Sequence, residues 1–237
     1  RLVGSEMCIR DSFNNYEENY RPYDTSWDGS IGKGEYDYNG SQMSLQWQWN
    51  HNPDNRYWSL TERDGYLRLT AGNVVPNIRS ARNVATVRTF GPKSAAETAV
   101  EFKNLNEGDV AGLTIFQNQY GYVGVTVFRG EKYIVMHKAD AKGDAQGRHC
   151  ALVALEEDIE RVYLRADADF TDQTDKAYFY YRLNETDEWI PIGETLQMAY
   201  DWPDFMGYRF GVFIYATEEE GGYADFDYMK FYSELVK

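Results

Sequence analysis

The sequence predicts an all-β protein whose main part is a sandwich of two β-sheets. From Gly40 onward, polar and apolar residues alternate with a period of two in one segment after another, as in half-buried strands. Turn residues interrupt these segments about every 8 to 12 positions, which is typical of sandwiches and barrels. The 20 Tyr, 12 Phe and 6 Trp residues also favour pleated surfaces over helices. Because no repeat of about 20 to 50 residues is present, we expect a single two-sheet domain and not a propeller.

The predicted strands are separated by glycine, proline and polar turn residues. Gly65–Thr70 alternates cleanly, and Asn83–Phe90 alternates until Gly91-Pro92 ends the segment. A single helical turn fits only Glu156–Arg161. The other strand candidates are Leu45–Asn52, Thr98–Phe102, Val110–Gln117, Tyr122–Phe128, Tyr133–His137, Ala151–Leu155, Val162–Asp169, Ala177–Leu183, Tyr208–Tyr215 and Tyr223–Tyr232.

Two segments precede the predicted sandwich, which covers residues 42–237. Residues 1–12, RLVGSEMCIRDS, lack the apolar core and cleavage site of a signal peptide and are similar to translated sequencing-adapter reads. We therefore expect the natural protein to begin further upstream. Residues 13–41 are rich in Asn, Tyr, Asp, Gly and Glu without a period, which predicts a linker or an extended surface segment. The sequence leaves open whether this bacterial-type protein is cytoplasmic or secreted.

The charge of the chain argues against two classes of partner. The 38 acidic and 24 basic side chains give a net charge of −14, whereas phosphate binding needs an excess of basic residues. Nucleic acid and anionic membrane surfaces are therefore not expected as partners. No apolar run approaches the roughly 18 residues of a membrane-spanning helix. With only Cys8 and Cys150, the fold is not expected to depend on disulfides.

The usual catalytic motifs are missing from the sequence. His51, His137 and His149 lie in three separate segments without metal-ligand spacing. There is no Gly-x-Ser-x-Gly elbow, phosphate-binding loop or paired-cysteine motif. Each histidine is therefore interpreted as a hydrogen-bonded strand or surface residue.

Two pairs of aspartates have a spacing that glycosidase chemistry could use. Asp167 and Asp169 are two residues apart in one predicted strand, and Asp225 and Asp227 are two residues apart in another. Each pair would share one strand face, with the residue between them facing the core. Because exposed aspartate pairs are common, a solvated or cation-bound face is favoured over catalysis.

Several motifs resemble those of one enzyme family, in the same order along the chain. They are Leu45-Gln-Trp-Gln-Trp-Asn-His-Asn-Pro53, Tyr57-Trp-Ser-Leu-Thr-Glu-Arg-Asp-Gly-Tyr-Leu-Arg-Leu69, Arg88-Thr-Phe-Gly-Pro92, Asp109-Val-Ala-Gly-Leu113, Tyr120-Gly-Tyr-Val-Gly124, Val162-Tyr-Leu-Arg165, Phe205-Met-Gly-Tyr-Arg-Phe210 and Tyr223-Ala-Asp-Phe-Asp-Tyr228. Together they resemble the C-terminal concanavalin A-like sandwich (a jelly roll) of glycoside hydrolase family 43 β-xylosidases and arabinofuranosidases.

The resemblance implies an accessory role without catalysis. Members of that family carry this module after a five-bladed propeller that holds the catalytic carboxylates, and no propeller sequence is present in this chain. The module is classified among xylan-binding units, as carbohydrate-binding module family 91. In some β-xylosidases an aromatic residue of the sandwich closes the catalytic pocket, and Tyr215 is near the corresponding position.

The candidate sugar contacts combine aromatic and amide side chains, because sugar rings stack on aromatics while their hydroxyls need fixed polar partners. Trp49 is favoured as a core residue, but Asn50 and His51 follow it at a strand end. Tyr120 and Tyr122 are expected near an exposed turn, and Arg88 could instead pair with a carboxylate such as Asp225. The full set is Trp49, Asn50, His51, Arg88, Gln117, Tyr120, Tyr122 and Tyr215.

Three functional hypotheses follow from the sequence. The favoured one is a noncatalytic module that binds xylan or xylo-oligosaccharides and contacts an upstream catalytic propeller. The first rival is a purely structural domain that stabilises that propeller, and the second is an independent glycosidase. No cofactor is expected, although a structural Ca²⁺ bound by Asp37 and Asp227 is a further hypothesis.

Overall fold

The computed structural model describes residues 34–36, 38–40, 43, 46–141, 143–199 and 206–236. In these ranges the chain forms strands with two short 3-10 helices, Ile78–Ser80 and Thr171–Gln173, so the all-β prediction is confirmed. The strands are β1 (Gly34–Tyr36), β2 (Gln48–Trp49), β3 (Trp58–Ser59), β4 (Leu67–Thr70), β5 (Ala85–Arg88), β6 (Lys93–Glu101), β7 (Asp109–Phe116), β8 (Tyr120–Phe128), β9 (Glu131–Ala139), β10 (Arg148–Ala154), β11 (Arg161–Asp169), β12 (Lys176–Arg182), β13 (Ile190–Pro191), β14 (Leu196–Gln197), β15 (Arg209–Ala216) and β16 (Tyr223–Tyr232).

These strands form the two sheets that the alternation predicts. The nine-stranded sheet has the order β13-β12-β11-β6-β16-β4-β3, with β1 paired to β16 and β14 paired to β12. The seven-stranded sheet has the order β10-β9-β8-β7-β15-β5-β2. Neighbours in both sheets, such as β6 with β11 and β7 with β15, run antiparallel. The chain therefore crosses between the sheets several times, as in a sandwich of jelly-roll type.

The main hydrophobic core lies between the two sheets and is built by alternate residues of each strand. Leu67 and Leu69 point into it from β4, while Arg68 between them does not. Ala168 and Phe226 also lie in this core, as the spacing of the aspartate pairs predicts. Burial of these side chains, at about 25 cal/mol per Å² of apolar surface, is the main force that holds the sheets together.

The strand boundaries differ from the sequence prediction in places where the hydrophobic signal is weak. Strand β6 begins at Lys93, ahead of the predicted Thr98, because the small residues of its first half alternate without a strong apolar pattern. Strand β1 lies in the segment predicted to be a linker and pairs with β16, so the nine-stranded sheet extends into that segment. Around Ile159 the chain makes a hydrogen-bonded turn to Glu156 (3.1 Å) and no helix.

Within the described ranges, the chain contains no helix that is both long and apolar enough to cross a membrane.

Candidate carbohydrate-facing site

The outer face of the seven-stranded sheet, meaning the side turned away from the nine-stranded sheet, gathers most of the predicted sugar-contact residues. One row of opposed residues crosses all seven strands and consists of Gln48, Thr86, Gly211, Thr114, Tyr122, His137 and His149. Neighbours of the row members in the middle of the sheet, such as Leu113 and Val123, point into the main core. Every candidate except Trp49 lies on this outer face or at its edge.

Trp49 itself belongs to the sandwich interior. Its ring packs against the main core and lies 5.2 Å from the ring of Trp58, measured between centroids. Trp47, on the same side of the strand, is buried next to Tyr38. The core interpretation of the two tryptophans is therefore correct, and Trp49 does not present a free ring to a sugar.

Tyr120, Tyr122 and Tyr215 are buried, which corrects the expectation that the first two flank an exposed turn. Both lie inside β8 with no accessible surface, and Tyr215 in β15 is only 6% exposed. The hydroxyls of Tyr122 and Tyr215 form a hydrogen bond of 3.0 Å. Burial raises the pKa of both phenols above the usual range, so the hydroxyls stay protonated. With His137 and His149, the three tyrosines are called the tyrosine–histidine cluster below.

Glycine residues in β7 and β8 leave space for the aromatic rings of the cluster. Gly112 of β7 and Gly124 of β8 are directly opposed, and a Cβ atom on either would collide with the backbone of the neighbouring strand. The ring of Phe213 lies beside Gly112 in register and 4.9 Å from the ring of Tyr122. The missing side chains at these two positions leave space for the rings of Tyr122 and Phe213.

His137 and His149 occupy the end of the row, on neighbouring strands. The Nε2 atom of His137 donates to the carbonyl oxygen of Gln146 (2.8 Å), and its Nδ1 lies 3.3 Å from Nδ1 of His149. The His137 ring stacks on Tyr122 with centroids 4.9 Å apart. Burial, with the neighbouring His149 ring as a second cause, lowers the pKa of His137 to about 4, so this imidazole is neutral at pH 7.

Two segments cover the cluster. The carbonyl oxygen of Ala145 accepts a hydrogen bond from the Tyr120 hydroxyl (2.9 Å), which together with the Gln146 contact holds the loop before β10 over the sheet. On the other side, Ile78 of the first 3-10 helix is fully buried in the same group of apolar side chains as Phe213. These long-range contacts explain why the tyrosines are inaccessible.

The remaining candidates lie at the edge of this face and are linked through three residues that the sequence analysis missed. His51 Nε2 (2.8 Å) and Asn50 Nδ2 (3.5 Å) donate to the carbonyl oxygen of Arg79, whose guanidinium donates to Asn118 Oδ1 (2.9 Å). Next to Asn118, the Gln117 amide donates to the Met206 carbonyl (2.7 Å), and the Arg88 guanidinium lies 3.9 Å from Met206 Sδ. The side chains of His51, Arg79, Arg88, Gln117 and Asn118 are called the polar rim below.

The polar rim differs from the cluster in its exposure. His51 and Arg88 are exposed, while Arg79, Gln117 and Asn118 are half-buried. Amide and guanidinium groups carry several donors each, and the amides carry acceptors as well. The rim can therefore offer hydrogen bonds to the hydroxyls of a ligand. No local sequence signal marks Arg79 or Met206, because both reach this edge of the sheet only when distant segments fold together.

The aspartate pairs lie on the outer face of the other sheet, and the prediction that they are solvated is wrong for Asp167 and Asp225. Asp167 has no accessible surface and binds Arg165 (2.7 Å), and Asp225 is 4% exposed. Asp225 binds Arg68 (2.7 and 2.8 Å) and Arg63 (3.1 Å), not Arg88, which belongs to the opposite sheet.

The proposed calcium ligands are also only partly described. The carboxylate of Asp227 forms an ion pair with the guanidinium of Arg161. Asp37 lies outside the described residues, so the calcium hypothesis stays a prediction.

Comparisons with known proteins agree with this architecture. The sequence model of the family described as "Beta xylosidase C-terminal Concanavalin A-like domain" matches residues 35–232. A curated β-xylosidase from Formosa agariphila is 25% identical over 217 residues, which are 82% of this chain and 34% of the relative.

Two solved structures are similar in three dimensions. A bifunctional GH43-CE protein from Bacteroides eggerthii superposes with a TM-score of 0.80 at 44% identity, over 85% of this chain and 26% of its own. An engineered GH43 glycoside hydrolase with endo-xylanase and exo-arabinofuranosidase activity gives a TM-score of 0.81 at 28% identity, over 90% of this chain and 43% of its own. The chain thus spans less than half the length of each of these relatives. It belongs to the family of C-terminal concanavalin A-like domains of glycoside hydrolase family 43 β-xylosidases.

Proposed function

We propose that this domain is a noncatalytic accessory module that contacts xylan or xylo-oligosaccharides through the polar rim at the edge of the seven-stranded sheet. The observation that carries the proposal is the convergence of exposed and half-buried donors from four separate segments on one edge of the sheet. Such groups recognise sugar hydroxyls, because a hydroxyl can accept a hydrogen bond from a guanidinium or amide N–H and can donate one to an amide oxygen.

Among the described residues, the polar rim includes no Tyr, Trp or Phe ring, which bears on how strongly it would bind. Stacking usually supplies much of the affinity for a sugar ring, and the nearest tyrosines are buried. The isolated domain is therefore expected to bind weakly. In the parent enzyme the same rim could contact a substrate that the catalytic domain holds, and the relatives, which are more than twice as long as the matched region, have room for such a domain.

The arrangement of the candidate carboxylates argues against the rival of an independent glycosidase. A retaining or inverting mechanism needs two carboxyl groups that face one substrate, one of them able to donate a proton. Asp167, Asp225 and Asp227 are instead bound to arginines, on the sheet opposite the polar rim. Each of these three carboxylates is thus occupied by a guanidinium group and lies away from the polar rim.

The test is isothermal titration of the 237-residue chain with xylohexaose and with soluble arabinoxylan. We expect a Kd between the micromolar and millimolar ranges, about −8 to −4 kcal/mol. Arg88→Ala and Gln117→Ala should each weaken binding by about tenfold, as the loss of one ligand hydrogen bond would. Tyr215→Ala is a poor probe, because removal of a buried ring would disturb the sheet itself.

The matched control is Lys103→Ala, which removes an exposed side chain paired with Glu160 far from the rim. This variant should bind like the parent chain. Binding that persists unchanged in both rim variants would place the sugar site elsewhere. If no binding is detected at all, the structural rival, in which the module only stabilises its catalytic partner, becomes the better explanation.

A further inference from the structure

His137 and His149 face each other across β9 and β10. They are a directly opposed pair in the strand register, and a β-bulge follows His149. Their Nδ1 atoms are 3.3 Å apart, and their ring centroids are 5.0 Å apart with the planes nearly perpendicular. Two imidazoles at this spacing can share one proton, or they can share one metal ion.

The geometry fits the second possibility. In a tetrahedral zinc site with Zn–N bonds of about 2.0 to 2.1 Å, two ligand nitrogens are about 3.4 Å apart and their ring centres about 5 Å apart. Both measured distances match these values. We propose that His137 and His149 form a two-imidazole site for a divalent transition-metal ion such as Zn²⁺, bound through the two Nδ1 atoms, with water completing the coordination.

The surroundings of His137 have the form expected of a metal ligand. A metal-binding imidazole usually donates its second N–H to a carbonyl or carboxylate, which fixes the ring and its tautomer. The Nε2 of His137 donates in this way to the Gln146 carbonyl (2.8 Å), so in the neutral ring the lone pair is on Nδ1 and points toward His149. The stacked ring of Tyr122, inclined by only 5°, holds the imidazole in place.

The ligand set also indicates which ions can bind and how strongly. Imidazole nitrogen suits Zn²⁺, Cu²⁺ and Ni²⁺, whereas Ca²⁺ and Mg²⁺ prefer oxygen. Among the described residues, no group of three or more His, Cys, Asp and Glu side chains is arranged to hold a metal. The site would therefore offer two protein ligands and bind with moderate affinity.

A bound ion would join the last strand of the seven-stranded sheet to its neighbour. Among the strands that the structure describes, β10 is at the edge of this sheet and pairs with β9. The loop that precedes it carries the Ala145 and Gln146 carbonyls that cover Tyr120 and His137. The metal would thus cross-link β10 to β9 and stabilise the loop that covers the tyrosine–histidine cluster.

The experiment is titration of the full chain with ZnCl₂ at pH 7.5, followed by calorimetry and by the imidazole nitrogen shifts in NMR. One zinc ion should bind, and the nitrogen signals of His137 and His149 should shift together. His149→Ala should weaken binding by about tenfold or more, since one of two protein ligands is lost. His149 is exposed, so this variant should fold like the parent chain.

His51→Ala is the matched control, because the chain has only three histidines and His51 lies at the polar rim. Its zinc affinity should be unchanged. Cys150→Ser separates the site from the adjacent free thiol and should also bind normally. The proposal is overturned if His149→Ala binds zinc as tightly as the parent chain, if Cys150→Ser loses binding, or if the two imidazoles do not shift.

Discussion

The outer faces of the two sheets both bury polar side chains, but the side chains differ in chemistry. On the nine-stranded sheet, one row across four strands consists of Arg68, Asp225, Glu101 and Arg161. On the seven-stranded sheet, the corresponding row consists of a glutamine, two threonines, a glycine, a tyrosine and two histidines. The first row consists of ion-paired side chains, and the second of neutral hydrogen-bonding groups and rings. After these rows, the two outer faces are called the charged face and the neutral face below.

The two faces differ in what their buried side chains require from neighbouring groups. A buried charge is costly unless a partner of opposite charge and enough hydrogen bonds accompany it. The arginines of the nine-stranded sheet meet this need and also stack on aromatic rings, as Arg63 does on Tyr66 (3.5 Å from guanidinium carbon to ring centroid). The central row of the neutral face carries no charged side chain and therefore needs no such partners. We infer that the ion pairs of the charged face contribute to the stability of the fold.

The largest effect is expected from breaking the charged face at Asp225. This residue is 4% exposed and accepts a bidentate hydrogen bond from Arg68 and a third from Arg63. Asp225→Ala leaves Arg68 and Arg63 without their shared partner. Because Arg63 keeps Glu101 and Arg68 keeps Glu62, the free energy of unfolding should fall by about 3 kcal/mol, the low end for a broken buried ion pair.

Urea denaturation followed by tryptophan fluorescence measures the change at Asp225. The exposed Lys103→Ala variant is the reference for a surface ion pair and should unfold at the same urea concentration as the parent chain. A loss below 1 kcal/mol for Asp225→Ala would mean that the charged face does not stabilise the fold in the way argued above.

Asp109 provides the opposite case, a buried carboxylate without an arginine. It begins β7 of the seven-stranded sheet with no accessible surface, and its Oδ2 accepts only the backbone N–H of Asn106 (2.8 Å). Among the described residues, its Oδ1 has no hydrogen-bond donor. Burial raises the pKa of Asp109 to about 6 from its ordinary 3.8. The folded state therefore holds the proton more tightly than the unfolded state does.

This shift sets a direction for the dependence of stability on pH. Because the folded pKa is the higher one, Asp109 makes the protein less stable as the pH rises from about 4 to about 6, and the loss is complete above that range. Asp109→Asn keeps the shape and removes the charge, so it should stabilise the protein at pH 7 by about 2 to 3 kcal/mol. Urea unfolding at pH 4, 5, 6 and 7 tests this. A variant whose stability follows the pH as the parent does would contradict it.

The fold could be predicted from the sequence because the alternation of polar and apolar residues is a local pattern. Alternation within a strand shows which residues share a face, and it placed β16 at Tyr223–Tyr232 as observed. It also placed Ala168 and Phe226 in the core. Two-residue strands such as β13 and β14 carry too few residues for a period to be seen.

The candidate site could be predicted only in part, because exposure depends on distant segments. Tyr122 was expected near an exposed turn, whereas in the structure it is covered by contacts with the segments of Ile78 and Ala145, which lie far from it in the sequence. The two histidines were interpreted as separate because they lie 12 positions apart, and only the pairing of β9 with β10 brings them together. The burial of Asp225 likewise depends on Arg63 and Arg68 of another segment.

The smallest expected effect belongs to the neutral face and is best measured as a difference between variants. Tyr122→Phe or Tyr215→Phe alone leaves the other hydroxyl buried without its 3.0 Å partner and should cost about 1 kcal/mol or slightly more. The double variant removes both hydroxyls, so it should be less destabilised than the sum of the single variants by about 1 kcal/mol. Thermal and urea unfolding of all four proteins give this coupling energy. Additive losses would show that the two hydroxyls stabilise the fold independently, and the neutral face would then rest on ring packing alone.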